Sequence, residues 1–275
     1  MTAAPSSDAL LALLAGLLDD TSLLVAQADP AAVVTEHRRV RRSSPLVGAL
    51  HVAVSQLGRL LDALEAAPSS DPVEVVLVAD TGLVEAAEAR AVLLDDDRVE
   101  PVGLVVGLPL DGPLEETARL TLESLDFALP AVVAVPAAPG WGAAARVVAE
   151  DGAERVGLNL AVDDEVLADL IVEGARAGAR LVGLGGPWTV ARGAHDSPRP
   201  GLLNLVAAAG AAVAGGDPAS VRSLLAEDDV DSLLAALATA DPRAVRGCLT
   251  TVATPAPGAL VAALSALGIV EDEDS

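Results

Sequence analysis

Along this chain, short runs of Val and Leu alternate with segments in which apolar residues recur every three or four positions. The runs are apolar almost throughout rather than at every second residue, the pattern of parallel strands buried on both faces. They fall at 22–26 (SLLVA), 46–52, 73–79, 101–107, 130–136, 154–160, 180–185 and 245–252. Helical periodicity fills the intervals, at about 30–38, 54–67, 81–94, 113–126, 140–150, 163–178, 201–215 and 255–268. A further helix opens the chain at 8–18, with Asp8 as its N-cap. Residues 217–240 predict two extra short helices before the last strand.

Eight strand–helix units in 275 residues match the count and length of a (β/α)8, TIM-like barrel with an N-terminal helix and a helical insertion. Should the strand at 22–26 fail, the alternative is a doubly wound open α/β sheet. No composition break divides residues 1–275, so one domain is expected, with 217–240 as the insertion and the acidic 271–275 as a solvated tail.

Charge then narrows the function. With 40 acidic and 17 basic residues the formal charge is −23, which disfavours nucleic acid and anionic membranes as partners. Every basic residue is arginine. The lack of lysine excludes a Schiff-base lysine, a lysine general base and a phosphate loop of the GxxxxGKS/T type. No apolar run reaches the roughly 20 residues of a membrane span, and the N-terminus lacks the basic region of a secretory signal, so a cytoplasmic protein is expected. Cys248 is the single cysteine; alternating with Arg246 and Thr250 along the last strand, it reads as a small buried hydrophobe.

In a barrel of this kind chemistry sits in the loops at the C-terminal ends of the strands. Asp80 follows strand three directly and suits a catalytic acid or base; His195, between Arg192 and Asp196, is the histidine placed for proton transfer. Trp141 and Trp188 follow strands five and seven and, with Phe127, are the only aromatics, so each is either a flat ligand contact or part of a hydrophobic lid. Asn159 and Thr251 are candidates to hydrogen-bond a ligand. Gly185 and Gly186, in the GLGG run, free backbone N–H groups for an anion that Arg192 would help to hold.

The remaining histidines read differently. His51 lies near the end of strand two, and His37 opens HRRVRR, a cationic cluster at a predicted helix C-terminus that suits the helix dipole or a docking partner. Three histidines far apart, without HxH or HExxH, give zinc little support. A carboxylate-only magnesium site using Asp80 and Asp163 stays open, while Asp111, Asp163 and Asp164 read as helix caps. No cofactor is implied.

The stretches LLDDTSLL (17–24), HRRVRRSSPLVGAL (37–50), GLLNLVAAAGAAVAG (201–215) and LVAALSALGIV (260–270) resemble an uncharacterised actinobacterial TIM-barrel-like family with DDAALFPPG-like and HGFLNL-like motifs. The resemblance implies a barrel-like α/β fold and no particular activity. The departures matter. Leu24, Val25 and Ala26 stand where the family has Phe-Pro-Pro, and VGLNLAVDD and VGLGGPW replace strand ends that carry a lysine and histidines. TTVATPAPG replaces a GTCS-like turn. Those losses favour a binding or scaffold role.

Two functions follow. One is an enzyme that acts on a small anionic metabolite by proton transfer through Asp80 or His195. The other is a catalytically degenerate barrel that binds a small molecule or a partner protein, with Trp141 and Trp188 closing its mouth. Convergence of three or more polar side chains on one top-face pocket separates them.

Overall fold

The computed structural model describes residues 7–25, 28–69, 71–125, 129–152, 154–194 and 197–270. Eight parallel strands close in sequence order into a barrel: β1 (Leu18–Asp20), β2 (Val47–Ala53), β3 (Val73–Val78), β4 (Val99–Gly107), β5 (Ala131–Ala134), β6 (Arg155–Asn159), β7 (Leu181–Leu184) and β8 (Leu249–Thr254). β1 pairs with β8, Leu18 opposite Val252 and Asp20 opposite Thr254, which closes the ring and excludes the open sheet.

Helices α1 (Ser7–Leu14), α2 (Pro30–Ser43), α3 (Leu57–Ala66), α4 (Leu83–Leu94), α5 (Leu114–Glu123) and α6 (Trp141–Asp151) precede β6. After it come α7 (Asp164–Arg176), α8 (Leu202–Val213), α9 (Pro218–Ala226), α10 (Val230–Leu237), α11 (Pro242–Cys248) and α12 (Pro257–Ala266). No helix among the described residues is long and apolar enough to cross a membrane.

Three expectations shift. The first strand is the acidic LDD at 18–20, and Ser22–Leu24 of the expected strand forms a 3-10 turn. Intrinsic preference favours SLLVA, but tertiary partners for the two carboxylates override it. The insertion holds a third helix, α11, which takes the residues expected to begin the last strand, so Cys248 ends a helix. Its start is signalled by Asp241-Pro242: the Asp241 side chain accepts from the Arg243 N–H, and a proline at the first helical position has no N–H to leave unpaired. Asp29-Pro30 and Asp217-Pro218 begin α2 and α9 in the same way. Third, Asp8 lies inside α1 rather than capping it. The acidic 271–275 lies outside the described residues.

The main core lies between strands and helices. Inside the barrel a separate small cluster is formed by Ala49, Val76, Val105, Val132 and Val182. TIM barrels ordinarily fill this space with layers of bulky branched side chains. Here alanine and valine do the filling, and Gly103 also borders the interior, so the N-terminal half of the barrel stays hollow.

Candidate functional site

The C-terminal face, where the sequence places the chemistry, spends its polar groups on itself. Asp80 is exposed and accepts hydrogen bonds from the Ser55 N–H (3.1 Å) and the Ser55 hydroxyl, tying the loop after β3 to the loop after β2. Asn159 folds back to accept from the Ala161 N–H at 2.9 Å. Arg192 donates to the carbonyls of Leu225 and Pro198 and pairs with Asp164, which leaves it no free face for an anion.

Gly185 needs its positive φ of 86°, but the Gly186 N–H donates to the Ala253 carbonyl instead of pointing at a ligand. The Thr254 hydroxyl donates to the Pro187 carbonyl at 2.6 Å and holds the same loop from below. The hollow beside Gly185, Gly186 and Trp188 is only about 20 Å³, too small for any metabolite. His195 lies outside the described residues.

The two tryptophans part company. Trp141 is 3% exposed and belongs to the main core. Trp188 is 58% exposed. Val25, Val84, Leu110 and Val166 are also exposed at this end of the barrel. Among the described residues no three predicted polar groups converge here.

The GLLNL stretch has a structural explanation that the sequence reading missed. Asn204 is fully buried; its Oδ1 accepts from the N–H groups of Arg192 and Gly201, and its Nδ2 donates to the carbonyls of Leu224 and Glu227. A Cβ on Gly201 would lie 2.4 Å from the Ala191 backbone. Both residues lock the long loop after β7 against the end of α9.

The polar chemistry lies lower, around β1. Asp19 faces the barrel interior: its Oδ2 lies 3.1 Å from His51 Nε2, and its Oδ1 accepts from the Ala49 N–H at 3.0 Å. The β1–β2 register slips between Leu18 and Asp20, and the Asp19 carboxylate takes up the N–H in that irregular stretch. Gly48 makes room, since a Cβ there would lie 2.5 Å from Asp19 Oδ1. A carboxylate only accepts, so His51 Nε2 carries the proton of this hydrogen bond.

Asp20 faces the other way. Its Oδ2 lies 3.0 Å from His37 Nδ1, while its Oδ1 accepts from the Ser22 N–H (2.9 Å) and hydroxyl (2.6 Å). His37 is therefore a buried partner of β1 rather than a surface cation at a helix end. Its Nε2 is buried with no hydrogen-bond partner. Among the described residues no group of three or more His, Cys, Asp or Glu side chains is placed to hold a metal.

The Asp19–His51 pair borders a chamber of about 360 Å³ that opens at the N-terminal end of the barrel. Thr251, expected at a strand end, instead sits within β8 and lines this chamber. Val76, Val102, Val132 and Val182 form its walls. At the mouth stand Arg155 and the Arg41–Glu74 ion pair. Beside Arg155, burial raises the Glu154 carboxyl above its ordinary range, partly offset by the Ala131 N–H that it accepts.

A larger hollow, about 690 Å³, runs between α6 and α7 outside the barrel. Its charged residues Arg146, Asp169, Glu173 and Arg176 are all exposed, and Trp141, whose buried Nε1 has no hydrogen-bond partner, also lines it. Cys248 is buried, and burial pushes its thiol up to about 11, away from nucleophilic chemistry at neutral pH. The residues that anchor the chamber, one histidine and the first residue of Asp19-Asp20, carry no motif in the sequence. No family model and no curated protein matches the chain.

Proposed function

We propose that this barrel binds a small polar molecule inside its N-terminal half, against Asp19, His51 and Thr251. The observation that carries the reading is the coincidence of a buried, carboxylate-held imidazole with a chamber of about 360 Å³, within the size range of small-molecule sites. The self-satisfied polar groups of the loops after β2, β3, β6 and β7 support it, because Asp80, Asn159 and Arg192 are already committed there. The departures from the actinobacterial family at the strand ends point in the same direction.

Thermal-shift measurements with short carboxylates, amines and polyols at millimolar concentration test the reading. At least one class is expected to raise the melting temperature of the wild-type protein. Val182→Phe, which fills the chamber, is expected to abolish that shift, and Trp188→Ala to leave it intact. The reverse pattern, or no shift with any probe, would overturn the proposal.

One observation favours a second reading, an enzyme at the same place. Asp19 fixes the tautomer of His51, the minimal arrangement for general acid–base chemistry. Proton exchange from a bound probe into D2O, followed by NMR, would be accelerated by the wild-type protein and lost in His51→Gln. Binding without exchange would leave a pure binding protein.

A further inference from the structure

We infer that the chamber takes a short carboxylate carrying a hydrogen-bond donor at its far end, an ω-amino or ω-hydroxy acid. This rests on the binding reading above and names its ligand class. Three features of the lining carry it.

The inner wall accepts. Nε2–H of His51 is committed to Asp19; under this proposal His51 holds the neutral ring, whose Nδ1 then accepts from a ligand hydroxyl or ammonium. Thr251 adds a hydroxyl that both donates and accepts. An anionic group placed at this end would instead meet the Asp19 carboxylate.

The mouth attracts anions. Arg155 lines the chamber entrance and forms no ion pair among the described residues, in a chain whose acids outnumber its arginines 40 to 17. The neighbouring Arg41 is already matched by Glu74. Arg155, whose charge is felt by the neighbouring Glu154 but which is in no ion pair among the described residues, is the cation the proposal assigns to a ligand carboxylate, an interaction that an arginine fork makes strongly.

Between the two ends the side chains that line the chamber are those of Ala49, the valines and Pro130, with Gly48 and Gly103 between them. A ligand that fits has polar groups at its two ends and methylenes between them.

Calorimetric titration with 4-aminobutyrate, 4-hydroxybutyrate, butyrate and butylamine separates these requirements. At least one of the two ω-substituted acids is expected to bind at least tenfold more tightly than butyrate, which lacks the inner donor, and than butylamine, which lacks the carboxylate. The tighter of the two identifies the donor as ammonium or hydroxyl. Arg155→Gln, at the rim and safe for folding, is expected to weaken that binding at least tenfold. His51→Gln is expected to do the same.

Equal binding of butylamine or butyrate, or an Arg155→Gln variant with wild-type affinity, would overturn the ligand class. So would failure of all four probes. If other probes still shift the melting temperature and Val182→Phe blocks them, the ligand class fails while the chamber survives; if none does, both fail.

Discussion

Asp19 and Asp20 are consecutive residues of a three-residue strand, so their side chains leave it on opposite sides. Each holds a histidine at about 3 Å, His51 on the inside of the barrel and His37 on the outside. The inner pair bonds through Nε2 and leaves Nδ1; the outer pair bonds through Nδ1 and leaves Nε2. The Asp19 side chain is 13% exposed and borders a chamber, whereas that of Asp20 is 3% exposed and is saturated by Ser22 and His37. The same two residue types therefore serve two purposes. A pair with every neighbour made of protein can only staple; a pair with one side on open volume can also bind.

The sharpest way to break this comparison is to remove each carboxylate in turn. Asp20→Ala strips the buried His37 of its partner and Ser22 of its acceptor, and loss of one member of a buried pair typically costs about 3–5 kcal/mol. Asp19→Ala is expected to cost less, because water entering the chamber can solvate the groups it abandons. Urea unfolding of both variants reads the difference. Equal losses would mean that the inner pair is as purely structural as the outer one.

Most of the barrel was legible because its strands are apolar on both faces and many of its helices, α2, α4, α5, α7 and α9–α11, begin with Asp-Pro or acidic first turns. Strand β1 was not, because LDD looks like a turn until His37 and His51, 17 and 32 residues further on, are brought to it. The commitments of the polar groups at the strand ends were hidden for a related reason. Sequence order locates strand ends, and strand ends are where barrel chemistry usually lies, but whether a polar group there is free depends on its partners. Arg192, Asn159 and Asp80 all proved committed to nearby chain. The hollow interior was half visible in the scarcity of aromatics, a property of volume that no motif reports.

A smaller effect comes from the space that keeps the inner pair in place. Gly48→Ala would drive a methyl group to 2.5 Å from Asp19 Oδ1, and overpacking of this kind costs about 1–3 kcal/mol. Gly58→Ala is the control: its Cβ meets nothing within 4 Å in α3, so removing a helical glycine there should stabilise by about 0.5–1 kcal/mol. Thermal unfolding checks both signs. A neutral Gly48→Ala would show that the carboxylate can rotate away freely, and would overturn the claim that Asp19 holds His51 in one orientation.

The gentlest change asks what Asp19 does for the histidine rather than for the fold. In Asp19→Asn the new amide oxygen can still accept from the Ala49 N–H, so the destabilisation should stay near 1 kcal/mol, the worth of an ordinary hydrogen bond. Its NH2 group, however, faces His51 Nε2 and can only donate. The imidazole must then move its proton to Nδ1, and the wall that accepted from a ligand now donates to one. Long-range 15N–1H NMR should show the His51 nitrogens exchanging their protonated and unprotonated signals while those of His37, held by Asp20, stay as they were. Any bound ω-amino or ω-hydroxy acid should weaken in step. An unchanged His51 pattern would mean that something other than Asp19 sets its tautomer, and the contrast between the two pairs would then be one of burial alone.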